Sequence, residues 1–420
     1  MNDTSVPADE VSTANMIRHG TPLFRQANLA LFAAGIATFG LLYCVQPLMP
    51  EFSKDYGVSA AASALSLSLT TGVLAFAMLF AGAVSDARGR KSVMTVSLLS
   101  SALLVLLTTL VPGWTNLLVL RTLLGLSLSG LPAVAMTWLS EEMHPQSIGL
   151  GMGLYISGNA IGGMGGRLVT GVLADFFDWR VGVAVVALIG LLSGVVFWRM
   201  LPPSRHFVRQ PLQLRGLLGR FTGVFRDAGL PWMFVEGFLL LGAFVTVYNY
   251  IGYRLLAAPY NLSQAVVGLI FSVYLIGTFS SAWMGHLAGK LGRRLVLWTT
   301  FVLMLAGVGL TLLKPLPLVV AGIVAITFGF FGGHSIVSSW VGRRAGNAKA
   351  QASSLYLFAY YMGSSIAGAG GGLFYAAHGW NGVAAFVGAM VLAGLLIAWR
   401  LYYLPPLPGP PSPGTEPPLP

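Results

Sequence analysis

Ten residues, Gly82-Ala83-Val84-Ser85-Asp86-Ala87-Arg88-Gly89-Arg90-Lys91, close one long apolar run of this chain. A degraded copy, Gly285-His286-Leu287-Ala288-Gly289-Lys290-Leu291-Gly292-Arg293-Arg294, closes another 203 positions later. Each joins two hydrophobic segments through a glycine-bearing basic turn. The echo extends further. Trp138 before Glu141-Glu142 matches Trp340 before Arg343-Arg344 at an offset of 202, and the glycine-rich stretch 158–166 matches 363–372. Tyr43 and Tyr248 stand at similar depths in matched runs. A hinge repeated at half the chain length means two homologous bundles, a layout that in a membrane points to a carrier.

The solvent follows from charge. Only 9% of the 420 residues are charged and 55% are hydrophobic, against about 25% charged in soluble domains. Too few charges are present to coat a globule, so lipid is the medium. The formal net charge of +11 is scattered between apolar runs and forms no basic face with interleaved aromatics, which speaks against nucleic acid. The single cysteine, Cys44, excludes an internal disulfide and a cysteine-rich metal site. It reads as a small buried hydrophobe. There is no G-x-x-x-x-G-K-[ST] phosphate loop, no H-E-x-x-H and no clustered nucleophile and base. Neither ATP drive nor enzyme activity is expected, and no cofactor or metal.

About 20 apolar residues cross the hydrocarbon core as a helix. On that ruler the chain is an all-α membrane protein of twelve spans, near 27–50, 62–84, 93–111, 115–138, 150–173, 180–201, 232–253, 265–287, 294–313, 317–340, 352–377 and 379–403. The expected organisation is a tail at 1–26, a six-helix bundle at 27–201, a central loop at 202–231, a second six-helix bundle at 232–403 and a proline-rich tail at 404–420. With the N-terminus inside, 18 of the 24 lysines and arginines fall on the inner side. The outer side holds only Lys54, Arg180, Arg254 and Lys314, so both termini are expected in the cytoplasm. The first 26 residues lack the apolar core of a signal peptide. The central loop sets Arg205, Arg209, Arg215, Arg220 and Arg226 among Leu214, Leu217, Leu218, Phe221, Val224 and Phe225. It reads as a mixture of basic linker and amphipathic helix on the inner leaflet.

Charged groups inside the membrane are the sharper functional signal, because each is costly unless paired or wet. Arg121 in the fourth span is expected about 9 Å below the outer edge at 1.5 Å per residue. Arg167 in the fifth span reaches nearly the same depth and is free to face Asp175 or Asp178. Tyr43, Gln46, Tyr248, Asn249 and Tyr250 fall at a similar level, and with Asn159 they complete a candidate substrate and proton pathway. Glu236 is the one acidic residue clearly inside a span, one turn from its inner end, where an interfacial position is equally open. His334 is a lone membrane histidine, which reads as packing. A site offering arginine and neutral hydrogen-bonding groups suits a neutral polar or anionic solute better than a cationic drug. At the inner turn, Gly82, Asp86, Arg88, Gly89, Arg90 and Lys91 form a candidate cytoplasmic gate. Its glycines serve a tight backbone and its charges pair with the other half or with lipid phosphate.

G-x-x-x-D-x-R-G-R-K, here Gly82 to Lys91, resembles the signature loop of the major facilitator superfamily, and its echo at 285–294 is usual there. Arg121-x-x-x-Gly125 resembles that family's second signature. Gly158-x-x-x-Gly162-Gly163-x-Gly165-Gly166 resembles the motif associated with its antiporters, with glycine at 163 in place of the familiar proline. More narrowly, Tyr43-x-x-Gln46-Pro47-Leu48 and Tyr248-Asn249-Tyr250 resemble YnfM-type inner-membrane transporters, near the arabinose-efflux-like and drug-efflux branches. The resemblance covers roughly residues 27 to 403. It implies that Asp86 and Arg90 belong to a cytoplasmic gate and that Arg121 is a buried arginine linked to proton coupling. It also implies that the glycines of the fifth span pack against the eighth. The expected activity is proton-coupled efflux of a small organic molecule across the inner membrane by a monomer, with lipid and protons as partners. Uptake of a sugar or organic anion is the alternative within transport, and a non-transporting sensor or scaffold the alternative outside it.

Overall fold

The computed structural model describes residues 16–210 and 221–405. The first crossing starts at Pro22, with Thr21 as N-cap accepting from the Phe24 amide at 3.2 Å. It consists of α1 (Pro22–Tyr43), a short 3₁₀ turn (Gln46–Leu48) forced by Pro47, and α2 (Met49–Tyr56), which Gly57 ends at φ 63°. Pro47 has no amide hydrogen to give, so the helix breaks at this point in the apolar run. Then come α3 (Ala60–Arg88) and α4 (Arg90–Leu110), joined at Gly89 with φ 97°. The fourth crossing is interrupted, as α5 (Trp114–Leu128) and α6 (Pro132–Glu142). α7 (Pro145–Phe176) and α8 (Trp179–Met200) complete the first half.

The second half runs through α9 (Leu230–Leu256) and then α10 (Gln264–Leu269), which continues by a 3₁₀ turn into α11 (Tyr274–Leu291). α12 (Arg293–Thr311), α13 (Leu316–Arg344) and α14 (Lys349–Tyr402) follow. α14 is two crossings in one run of 54 residues, turned back at His378 and Gly379, where Gly379 takes φ 58° and ψ −142°. A residue with a Cβ rarely adopts such backbone. Ten stretches are long and apolar enough to cross a membrane. α7, in which glycine dilutes the hydropathy, and the second arm of α14 bring the described crossings to twelve.

Helices before residue 201 pack chiefly on one another, as do those after 230. The two sets meet where α3 lies against α14 and α7 against α10. One end of the bundle carries the two turns at Gly89 and Gly292 and is called the hinge end; the opposite end is the far end. The polypeptide before α1 is pinned at the hinge end, with the Ile17 amide on the Glu142 carbonyl at 2.9 Å. Residues leading out of the first half also dress this end. Arg209 Nε donates to the Ala87 carbonyl at 2.7 Å, and the His206 amide to Glu142 Oε1 at 2.9 Å. The core of the loop expected to mix basic linker and amphipathic helix, with Leu214, Leu217 and Leu218, lies outside the described residues; Gly223–Arg226 is a 3₁₀ turn.

The glycine stripe of α7 packs on the first span rather than the eighth. A Cβ on Gly158 would lie 2.5 Å from the Phe32 carbonyl oxygen, on Gly162 2.1 Å from that of Ile36 and on Gly166 2.8 Å from that of Gly40. Four-residue spacing keeps these glycines on one face and lets the backbones touch, which is how helices adhere without a hydrophobic drive in lipid. The second half repeats the device, with Gly363 of α14 against the Phe238 carbonyl of α9. Gly163 instead lies beside Arg167, and Gly165 faces open space. The contact with the eighth span is made further along, by Gly171 against Gly268 of α10.

Candidate functional site

The break after Tyr43 leaves the last carbonyls of α1 without intrahelical donors, as every helix end does. Arg121, fully buried on α5, supplies them. Its Nη1 donates to Leu41 O at 3.1 Å, its Nη2 to Leu42 O at 2.6 Å and its Nε to Ser66 O at 2.8 Å. The guanidinium thus acts as an internal C-cap, a cation set against the negative end of α1. Carbonyls, not a carboxylate, hold it.

Arg167 lies beside the same break, 1% exposed. Its Nε donates to Gln46 Oε1 at 2.7 Å and its Nη1 to the Gly163 carbonyl at 2.7 Å. Its central carbon stands 4.2 Å from the Tyr43 ring centre, 4.5 Å from that of Tyr274 and 5.4 Å from that of Phe271. Aromatic faces on both halves stabilise this cation, which no counter-ion touches among the described residues. The acids considered for it are engaged elsewhere. Asp175 accepts from the Gln264 amide at 3.1 Å, and Asp178 caps α8 and pairs with Arg180 at 3.1 Å.

From Arg167 the polar chain crosses between the halves. Gln46 Nε2 donates to Asn249 Oδ1 at 2.8 Å, and Asn249 Nδ2 reaches the Gly368 carbonyl at 3.4 Å. Tyr250 donates to the same carbonyl at 2.8 Å, while Tyr248 shares a hydrogen bond with Thr327 at 2.8 Å. Nearer the far end, Ser53 and Tyr253 meet at 2.7 Å, and Gln264 Nε2 donates to Pro47 O at 2.5 Å. At mid-depth Ser365 donates to the Ser68 carbonyl at 2.7 Å. Sequence reasoning missed Tyr274, Phe271, Gln264 and Thr327, because single aromatic and polar residues in apolar helices carry no periodic signal.

Other pathway candidates lie apart from this layer. Asn159, about two turns from Arg167 on α7, has a buried Oδ1 with no hydrogen bond. Glu236 is enclosed by protein. α9 starts at Leu230, so the carboxylate falls in its second turn, 0% exposed, with neither oxygen hydrogen-bonded. The neighbouring Gly237 lies under the Tyr356 ring, whose hydroxyl is 2.9 Å from His334 Nδ1.

At the hinge end, Arg90 is the focus. It pairs with Asp86 one turn back, and its Nε and Nη2 grip Glu141 of α6 at 3.1 and 2.7 Å. Glu141 was legible only as part of the repeat, not as a partner. Lys91 donates to the Leu201 carbonyl at 2.5 Å, whereas Arg88 is exposed. Of the two glycines expected to make the turn, Gly89 alone has positive φ; Gly82 sits within α3 with open space around it.

Comparison with known proteins bears on the family and the fold. The model of the Major Facilitator Superfamily matches residues 31–257 and 237–420. The chain is 51% identical over 386 residues to the inner membrane transport protein YnfM of Escherichia coli K12, spanning 92% of this chain and 93% of that one. It is 47% identical over 388 residues to the uncharacterised MFS-type transporter YybF of Bacillus subtilis 168, spanning 92% and 95%. Among solved structures, a bacterial homologue of the human lysosomal transporter Spinster, inward-facing and unoccupied, superposes with a TM-score of 0.74 at 15% identity, over 92% of this chain and 97% of that one. At that identity the likeness is one of fold.

Proposed function

The chain belongs to the major facilitator superfamily and is a membrane-spanning secondary transporter, and from that premise we propose that it exports a small organic solute across the inner membrane in exchange for protons. The observation that carries the alternating-access part of this reading is one-sided closure. Among the described residues the hydrogen bonds between the halves, Gln46 with Asn249, Ser53 and Met49 with Tyr253, Pro47 and Asp175 with Gln264, and Ser68 with Ser365, lie at mid-depth or toward the far end. The ion pairs of the hinge end among the described residues stay within one half, Arg90 with Asp86 and Glu141, and Arg344 with Asp227. With the basic hinge end in the cytoplasm, this is a carrier open to the inside, and rocking of the halves exposes the same centre to the other side. The termini are then cytoplasmic.

Arg167 in its aromatic cage supports a solute that is planar and neutral or anionic, since the cation has no acid to displace and rings on two faces to stack on. Glu236 supports proton coupling. A charged carboxylate without a partner in an apolar interior costs several kcal/mol, so this is the group whose proton is bound or released as the halves move. The resemblance of the α7 glycine run to the antiporter motif supports export. The test is a panel of labelled organic anions and neutral polar solutes in proteoliposomes with an imposed pH difference. Proton-coupled export requires saturable flux that collapses when the gradient is dissipated and is lost in Glu236→Gln. Flux indifferent to the gradient would rule out coupling, and accumulation toward the cytoplasmic face would reverse the direction.

A further inference from the structure

The two hinge turns are built alike and neutralised differently. Gly89 and Gly292 have nearly the same backbone, φ 97° and ψ 140° against φ 91° and ψ 138°. Each starts a helix on a paired cation, Arg90-Lys91 or Arg293-Arg294. The second cation does the same work in both halves: Lys91 donates to the carbonyl of Leu201, and Arg294 to that of Leu404, 203 residues on. The first cation does not. Arg90 is held by Asp86 and Glu141. At the corresponding positions of the second half stand Gly289 and Arg343. One carboxylate has been deleted and the other replaced by a second cation.

Arg293 and Arg343 line one open cavity of about 580 Å³, together with Trp340, Leu291, Leu295 and Tyr402, among others. Two further arginines on its wall are already committed. Arg294 also donates to the Tyr402 carbonyl at 2.9 Å, and Arg344 Nε donates to Asp227 at 2.6 Å. For Arg293 and Arg343 there is no hydrogen bond or ion pair among the described residues. Arg343 is exposed and Arg293 half-buried, and two guanidinium groups on one cavity repel each other, a repulsion that an anion between them relieves. Leu291 and Leu295 are exposed at 57% and 41% beside it, so the cavity opens onto apolar surface as well as charge.

We propose that this cavity binds a phosphate group, which takes the place of the two lost carboxylates and joins Arg293 to Arg343. The guanidinium fork matches phosphate oxygens in paired hydrogen bonds. Leu291 and Leu295 beside it favour a phospholipid headgroup, with the acyl chains lying along the apolar surface; free phosphate offers the same oxygens. The proposal rests on the comparison of the halves and not on the transport reading.

The purified full-length protein, delipidated in a neutral detergent, is titrated with phosphatidylglycerol, with phosphatidylcholine and with inorganic phosphate, following the melting temperature. Phosphatidylglycerol should raise it well above the effect of phosphatidylcholine. If inorganic phosphate raises it equally, the ligand is the free anion; if not, it is the headgroup; either result supports the site. Arg343→Gln should weaken the effect by about tenfold in apparent affinity, the value of one charge-assisted hydrogen bond. Arg343→Glu restores the pairing seen at Arg90, so it should melt higher than Arg343→Gln without added lipid and lose the response altogether. No response in the parent to any phosphate compound, or a response unchanged in Arg343→Glu, overturns the proposal.

Discussion

Gln46 and Asn249 donate and accept across the join between the halves at 2.8 Å, and Gln46 is at the same time the acceptor for Arg167. One amide therefore serves two tasks, closing the far end and solvating the buried cation. A solute anion reaching Arg167 competes with Gln46 Oε1, and releasing that oxygen frees the amide that holds the halves together. Gln46→Leu should leave Arg167 buried with the Gly163 carbonyl as its remaining acceptor, a loss of about 1.5–3 kcal/mol, and should also loosen the far end. Asn249→Leu removes the join but leaves the Arg167 bond. Thiol labelling of single cysteines placed at Ser53 reads far-end opening. Both variants should label faster than the parent, and only Gln46→Leu should melt markedly lower. Equal melting of the two variants would separate Arg167 from the latch.

Arg90 is held by two acids of unequal geometry. Glu141 receives two of its donors, and Asp86, more exposed, receives one. Bidentate pairing is the stronger. Glu141→Gln should slow transport more than Asp86→Asn, with both variants inserted at parental levels. Initial rates in vesicles at matched protein content measure this, and parental rates in both would remove the pair from the gating step.

The crossings, the repeat and the hinge turns were legible because each is a pattern of many residues: a 20-residue apolar length, a shared offset, a basic turn. The near coincidence in depth of Arg121, Arg167 and the residues around Gln46 was legible as well, from rise per residue alone. What each arginine touches was not. Two of the three main-chain carbonyls that Arg121 meets, those of Leu41 and Leu42, are free as acceptors because the helix ends before Pro47, and no side-chain pattern marks such a site. The face to which the α7 glycines belong depends on how helices are arranged around one another. Spacing fixes the stripe, and tertiary packing chooses Ile36 rather than α10 as its neighbour. For Glu236 two positions stayed open, because an apolar window does not say where a helix begins, and a few residues at that boundary decide between headgroup and core.

The glycine stripe gives a contrast within one helix. A methyl group on Gly162 would sit 2.1 Å from the Ile36 oxygen, while one on Gly165 meets nothing within 4 Å. Gly162→Ala must push α7 from α1 and should cost about 1–3 kcal/mol by overpacking. Gly165→Ala should be neutral or stabilising by about 0.5–1 kcal/mol from helix propensity. Melting temperatures of the two in the same detergent check the pair, and a reversal of their order would disprove the packing assignment.

Asp227 caps the start of α9. It accepts from the amides of Gly229 and Leu230 at 2.8 Å each and from Arg344 Nε at 2.6 Å. Partial burial pushes its carboxyl up, but the Arg344 hydrogen bond, the two amides and the Arg344 charge together hold it below the ordinary value of 3.8. A folded-state value below the unfolded one means that the pair stabilises at pH above 3.8 and that this stabilisation is lost as pH falls through the lower folded value. The parent should therefore lose melting temperature on acidification below that point more steeply than Asp227→Asn, which is destabilised already at neutral pH. Parallel acid limbs would show that the carboxylate adds nothing.

Arg121 separates a structural role from a coupling role. Its three donors reach Leu41, Leu42 and Ser66 carbonyls in different directions, a fan that a planar guanidinium fits and an ammonium on a flexible stem does not. Arg121→Lys keeps the charge but leaves at least one buried carbonyl unpaired, at about 1–3 kcal/mol for each. If the arginine is chiefly a cap for α1, the variant melts several degrees lower, yet the protein that remains folded shows the parental dependence of flux on pH difference. If Arg121 carries coupling, the dependence on pH difference itself is altered while solute binding persists. Flux against imposed gradient, measured at a temperature where both proteins are fully folded, distinguishes the two. A variant that matches the parent in both melting and flux would mean that the carbonyl cradle accepts any cation.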